Sequence, residues 1–192
     1  MRFNLIVVLG VLAMTSCQNN TTVSKKYFDI DSLINQQLRY LEKTEASLSK
    51  MASIDSATDR SNFKPDSTSW ANELEVFLHL DVINKPIYVG AYEVMDGEKD
   101  TNSNLTIRSF VANREVPVKS LKLYYQGSPK KLRKLEAVLS EQNSLYYTSR
   151  KFSMEFEDVN GQAVISRHDV RGTQKMILRD SVKFSISSKI IY

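Results

Sequence analysis

At 192 residues, with 42% hydrophobic and 25% charged side chains, the chain can bury one core of ordinary size but not two. Its formal net charge of +4 is too small a surplus to indicate nucleic-acid binding. A single cysteine excludes an internal disulfide, so packing must supply the stability.

Arg2 opens the chain with a positive charge. Phe3 to Met14 are almost wholly apolar, and Thr15-Ser16 are small residues ahead of Cys17. That is the order of a secretory signal: charged start, short apolar run, small-residue cleavage site. The run is too short to span comfortably, because a membrane helix needs roughly 20 apolar residues. Gln18 to Thr22 turn polar at once, with no stop-transfer pattern.

Met14-Thr15-Ser16-Cys17 resembles the lipobox of bacterial lipoproteins. The resemblance implies cleavage between Ser16 and Cys17, a diacylglyceryl group on the thiol and acylation of the freed amine. It covers residues 1–17 only. Each buried methylene contributes about 0.8 kcal/mol, and two or three chains on one residue meet the two-signal requirement for stable anchoring. Gln18 stands where an Asp commonly retains lipoproteins at the inner membrane, which implies the outer membrane. Gln18 to Lys26 contains no acid, which favours the periplasmic face over the cell surface. The expected organisation is a signal peptide over 1–16, a lipidated N-terminus and tether over 17–27, and one domain over 28–192. Ser24-Lys25-Lys26 adds at most a weak attraction to anionic headgroups.

Helix signals begin at Asp29, which can accept first-turn amide hydrogens, with Phe28 and Leu33 placed as a hydrophobic staple. Ile30, Ile34, Leu38, Leu41 and Leu48 recur at helical spacing, predicting a helix to about Met51 that docks on its own sheet. Ile54 to Ser69 is rich in Ser, Asp, Thr and Asn and reads as a loop. A second helix, capped by Asp66 or Ser67, presents Trp70, Leu74, Phe77 and Leu78 and must end before Pro86. The period then changes. Ile87 to Val94 reads as a strand, Met95 to Asn104 as a polar turn, and Leu105 to Val111 and Val118 to Tyr125 as strands. Pro129 introduces a short helix to about Ser140. Phe152, Met154 and Phe156 alternate with polar residues, and Asn160-Gly161 supplies a hairpin turn tolerant of positive φ. Ala163 to Val170 returns, Arg171-Gly172 turns, Lys175 to Arg179 follows, and Val182, Phe184 and Ile186 alternate to finish the sheet. Strands this close cannot be joined by helical crossovers. The class is α+β: an antiparallel, curved sheet with the N-terminal helices packed on one face.

No catalytic constellation assembles. Glu75 and His79 are four apart on the second helix, but zinc normally needs three or four ligands, so an exposed pair is the plain reading. His168 and Asp169 are strand neighbours that point to opposite faces, with a strand-edge histidine as the default. Glu155 and Glu157 share a strand face and read as its solvated side. Gly127-Ser128-Pro129 lacks the nucleophile-elbow spacing, and there is no phosphate loop or dinucleotide fingerprint. No metal or cofactor is expected.

The one non-anchor candidate is the predicted basic helix. Lys130, Lys131, Arg133 and Lys134 surround Leu132, Leu135, Val138 and Leu139. They would suit an anionic surface, although plain packing of the four apolar residues accounts for the same pattern. Tyr124-Tyr125 and Tyr146-Tyr147 flank this segment, and strand alternation would turn one tyrosine of each pair inward. Asp31-Ser32-Leu33, Asp55-Ser56-Ala57, Asp66-Ser67-Thr68 and Asp180-Ser181-Val182 resemble an Asp-Ser-apolar acceptor used for O-glycosylation in some bacterial lipoproteins. Asp-Ser also starts helices and turns, and Ser56 is the best-placed acceptor.

The anchor resemblance implies a membrane-tethered envelope protein; with no catalytic constellation, the leading expectation is that it acts non-enzymatically by binding an envelope protein, lipid or glycan. A carrier or sensor of lipids, similar in outline to the half-barrel lipoprotein-sorting factors, is the runner-up by fold analogy. An unrecognised enzyme is third.

Overall fold

The computed structural model describes residues 25–192, so Cys17 and the expected signal peptide lie outside the described residues. Two helices, α1 (Ile30–Thr44) and α2 (Ser67–Leu78), and two short 3-10 segments, His79–Asn84 and Pro86–Tyr88, accompany nine strands. The strands are β1 (Ser47–Ile54), β2 (Ala57–Phe63), β3 (Tyr92–Lys99), β4 (Thr106–Ala112), β5 (Val118–Tyr125), β6 (Leu132–Gln142), β7 (Tyr146–Val159), β8 (Gln162–Met176) and β9 (Val182–Ile191). They form one open sheet in the order β2-β1-β9-β8-β7-β6-β5-β4-β3. Every pairing is antiparallel. The α+β class with helices on one face is therefore the observed architecture. No helix among the described residues is long and apolar enough to cross a membrane.

Both helix starts follow from local chemistry. The Asp29 carboxylate accepts from the Ser32 amide at 2.9 Å, and that of Asp66 accepts from the Ser69 amide at 2.8 Å. Hydrogen bonds from Ser32 and Ser69 hold both carboxyls below their ordinary pKa. Ile30, Ile34 and Leu41 of α1 and Trp70, Leu74 and Phe77 of α2 bury against the sheet. Leu121, Leu135, Phe152, Met154, Ile165 and Val170 meet them from its strands. Packing is tight at Trp70, Leu74, Phe77, Leu121 and Leu135, each at most 1% exposed, while a hollow of about 210 Å³ remains between α2 and the sheet beside Glu73, Val76, His168, Phe184 and Ile186.

Polar atoms complete the layer where the sheet is irregular. A register shift falls between the pairs Glu155–Arg167 and Phe156–Ile165, leaving Ser166 as the extra residue of a bulge in β8. Gln37 of α1, fully buried, fits that irregularity. Its Nε2 donates to the Ala163 carbonyl at 3.1 Å and its Oε1 accepts from the Ile165 amide at 2.8 Å.

Several sequence expectations are corrected. The first helix stops at Thr44 instead of Met51, because Glu45 takes the left-handed conformation (φ 51) and closes its end. Leu48 is buried from β1, the seven-residue spacing from Leu41 having imitated a helix. Ala57–Phe63 is a strand where a loop was expected: it is exposed throughout and held by backbone pairing alone, so no apolar alternation marks it. Pro86 begins a tight turn, and the strand expected from Ile87 starts at Tyr92 and continues to Lys99 past Gly97, an extra residue at φ +90. The expected helix after Pro129 is strand β6. Tyr125 pairs with Leu132 and Tyr124 with Lys134, so Arg133 bulges and shifts the inward side of the strand. Leu132, Leu135, Ala137 and Leu139 are consequently all buried, at spacings that mimic a helix. Arg171-Gly172 is not a turn but the interior of β8. Asn160-Gly161 does form the β7–β8 turn, with φ of 53° and 80°.

Candidate functional site

The helices cover one face of the sheet and leave the other open. On the open face, strand register brings charged side chains from β5 to β8 into rows. One row runs Lys122, Glu136, Ser153, Asp169; the next runs Lys134, Glu155, Arg167; a third runs Val138, Lys151, Arg171. They line a groove of about 500 Å³. A hollow of about 430 Å³ adjoins it and shares Lys151 and Arg171, with Ser53, Lys183 and Ser185 added from β1 and β9. At about 4.8 Å per strand, β5 to β9 span about 19 Å.

Charge within the groove is unevenly met. Glu136 is its neutralised end: Lys134 Nζ lies 2.6 Å from one oxygen and the Tyr124 hydroxyl donates to the other at 2.7 Å. Burial pulls the Glu136 carboxyl up, but Lys134 and Tyr124 outweigh it and hold the pKa below its ordinary value. Burial first, and Glu136 second, raise the Tyr124 pKa. Lys122, Lys151, Arg167 and Arg171 form no ion pair within 4.0 Å among the described residues. Lys151 and Arg171 are direct cross-strand partners, an arrangement that like charges make unfavourable.

A second polar group is sealed beneath α2. His168, 1% exposed, stands on β8, a central strand, not at an edge as expected. Its Nε2 is 3.4 Å from Glu73 Oε1 without hydrogen-bond geometry, and its ring meets Phe77 edge-on at 5.6 Å. Glu73 is committed elsewhere: Lys50 Nζ lies 2.6 Å from Oε2 and Ser188 Oγ donates to Oε1 at 2.9 Å. Burial, offset in part by Glu73, pushes the His168 pKa down to about 4, so the ring is neutral. A nucleophilic relay needs the hydroxyl on the histidine. Here the Ser188 hydroxyl serves the carboxylate instead, and the group is a structural one. Asp169 points to the opposite face, as strand alternation requires, and lines the groove.

The other sequence candidates separate. Lys130 and Lys131 sit in the β5–β6 turn; Arg133 contacts Asp158 at 3.4 Å and Gln126 at 2.8 Å, and Lys134 belongs to the groove. The four do not form one cationic helix face. Tyr124 and Tyr125 are both buried, whereas Tyr146 and Tyr147 are 37% and 39% exposed, so neither pair splits as expected. Glu75 and His79 are exposed, and His79 Nδ1 faces Arg150 Nη1 at 3.4 Å. The carboxylates of Asp29, Asp31 and Asp81 gather within 4.8 Å, but the Lys25 ammonium already bridges Asp31 and Asp81. Ser56 is exposed in the two-residue β1–β2 turn. Ser32 and Ser67 lie in the opening turns of α1 and α2. The groove itself was missed, because it depends on which strands are neighbours.

No protein-family model matches the chain, and no curated protein matches it.

Proposed function

We propose that this is a lipid-anchored envelope protein that acts by binding, with the open β5–β8 face receiving an anionic stretch of a partner protein or glycan. The opposed Lys151–Arg171 pair carries the reading. Cross-strand like charges cost stability, and an anionic group seated between them would offset that cost. The anchor is the lipidated Cys17 implied by the leader, with the outer membrane and its periplasmic face as the address. The hollow beneath α2, about 210 Å³ and lined by the charged Lys50, Glu73 and Arg150, is smaller than the roughly 300–1,000 Å³ of ligand sites, which supports binding over carriage of a lipid inside the fold. His168 and Glu73 offer no nucleophile in line, which leaves catalysis without support.

The test uses two readouts that move in opposite directions. Arg171→Glu converts the like pair into an attractive one and should raise stability by roughly 0.2–1 kcal/mol. The same change should remove the crosslinks formed in intact cells by a photoreactive residue placed at Ser153. Unchanged crosslinks, or a partner retained equally by the variant, refute the groove as the binding face. A stoichiometric lipid-sized adduct in native mass spectra of the detergent-free chain would restore the carrier reading.

A further inference from the structure

Exposed apolar side chains are concentrated at one end of the sheet. Strand register places the β1–β2, β4–β5, β6–β7 and β8–β9 connections at the same end. Leu145 is 63% exposed in the β6–β7 loop, and Ile177 and Leu178 are 60% and 98% exposed in the β8–β9 loop. The two loops are joined, the Ile177 amide donating to the Leu145 carbonyl at 2.8 Å. Tyr146 opposes Met176 at their base, both partly exposed. Ile87, 69% exposed, belongs to the same rim: Arg114, in the β4–β5 link, donates to its carbonyl at 2.9 Å. Leu178 holds the left-handed conformation (φ 62), unfavourable for a branched side chain, in a turn closed by the Arg179 amide donating to the Met176 carbonyl at 3.2 Å, and its side chain is 98% exposed with nothing packed on it.

Two further observations identify the occupant. The apolar tip is flanked by cations: Lys175 and Arg179 bracket Ile177-Leu178, and both line one hollow with Leu178 and Asp180. Neither cation forms an ion pair among the described residues. The chain also enters the domain here: the Gly90 amide donates to Tyr27 Oη at 2.9 Å, and the Tyr27 amide donates to Asn84 at 3.0 Å. Seven residues separate Cys17 from Lys25, and the eight steps between them reach at most about 28 Å.

We infer that this rim seats on the lipid bilayer, with Ile177 and Leu178 entering the interface and the flanking cations on anionic headgroups. The chain-entry argument rests on the anchor at Cys17; the apolar tip flanked by Lys175 and Arg179 does not. Seating the rim would hold the domain upright, with the strands running away from the membrane and the groove facing sideways.

The experiment uses the full chain purified with its native anchor and reconstituted into vesicles of phosphatidylethanolamine and phosphatidylglycerol. Lipidation blocks the Cys17 thiol, so Leu178→Cys carries the only label, a polarity-sensitive dye. Thr101→Cys, in the β3–β4 loop at the opposite end, is the control. The expected result is a blue-shifted emission at 178 with aqueous-iodide quenching several-fold weaker than at 101. Lys175→Glu with Arg179→Glu should let iodide back in. Equal quenching at both positions overturns the inference. So does a blue shift that appears without vesicles and grows with protein concentration, which would mean that a second copy covers the tip. A chain that takes up two dyes and lacks lipid mass refutes the anchor alone; the same quenching, measured on that chain added to vesicles, then decides the tip.

Discussion

Replacing His168 with leucine should make the protein less sensitive to acid. The folded-state pKa of about 4 lies below the ordinary 6.5, principally because burial disfavours the charged ring. As pH falls below 6.5 the unfolded chain takes up this proton first, so stability is present above that value and is lost down to about pH 4. A separation of about 2.5 units at about 1.4 kcal/mol each gives a loss of about 3 kcal/mol at the acid end. The charged groups acting on the ring are Glu73 from α2, Lys50 from β1 and, from the opposite face of β8, Asp169, and all three persist in the variant. Both ring nitrogens lack hydrogen-bond partners, so leucine leaves no new orphan and should cost less than about 1.5 kcal/mol at neutral pH. Urea unfolding followed by the fluorescence of Trp70, the only tryptophan and a core residue, measures both proteins from about pH 7 to about pH 4. The two stabilities should converge or cross on acidification. Parallel curves would refute the buried neutral histidine.

Gln37→Leu should destabilise by about 3 kcal/mol in the same assay, because it leaves the Ala163 carbonyl and the Ile165 amide unpaired beneath α1. A loss under about 1 kcal/mol would mean that water replaces the amide. Gly172→Ala should cost about 1–3 kcal/mol, since its Cβ would lie 2.5 Å from the Phe184 ring and 2.7 Å from the Ser149 carbonyl oxygen. An unchanged melting temperature would show that the ring moves freely. Asn84→Leu should raise amide exchange at Tyr27 and neighbouring residues, because Asn84 accepts from the Tyr27 amide and donates to the Phe28 carbonyl at 2.8 Å. Unaltered protection there would mean that the chain entry is held by other contacts.

Local features of the fold were legible wherever neighbouring residues decide the structure. Asp29 and Asp66 cap helices because their own carboxylates reach amides three residues on. Asn160-Gly161 turns because both residues tolerate positive φ. The alternation of Phe152, Met154 and Phe156 places them in the core. The charged groove was not legible. Lys151 and Arg171 are ordinary outward strand residues in the sequence, and the basic run from Lys130 suggested a different surface altogether.

The sequence by itself determined the helix starts, the period-two alternation of Phe152, Met154 and Phe156 and the α+β class, because each depends on spacing within a few residues. Only the tertiary structure decided that the exposed Ala57–Phe63 is an edge strand and that Leu132–Gln142 is not a helix, since backbone pairing and a bulge override side-chain pattern there. It alone opposed Lys151 to Arg171 and gathered Leu145, Ile177 and Ile87 on one rim, because strand register, not sequence order, sets which distant residues meet.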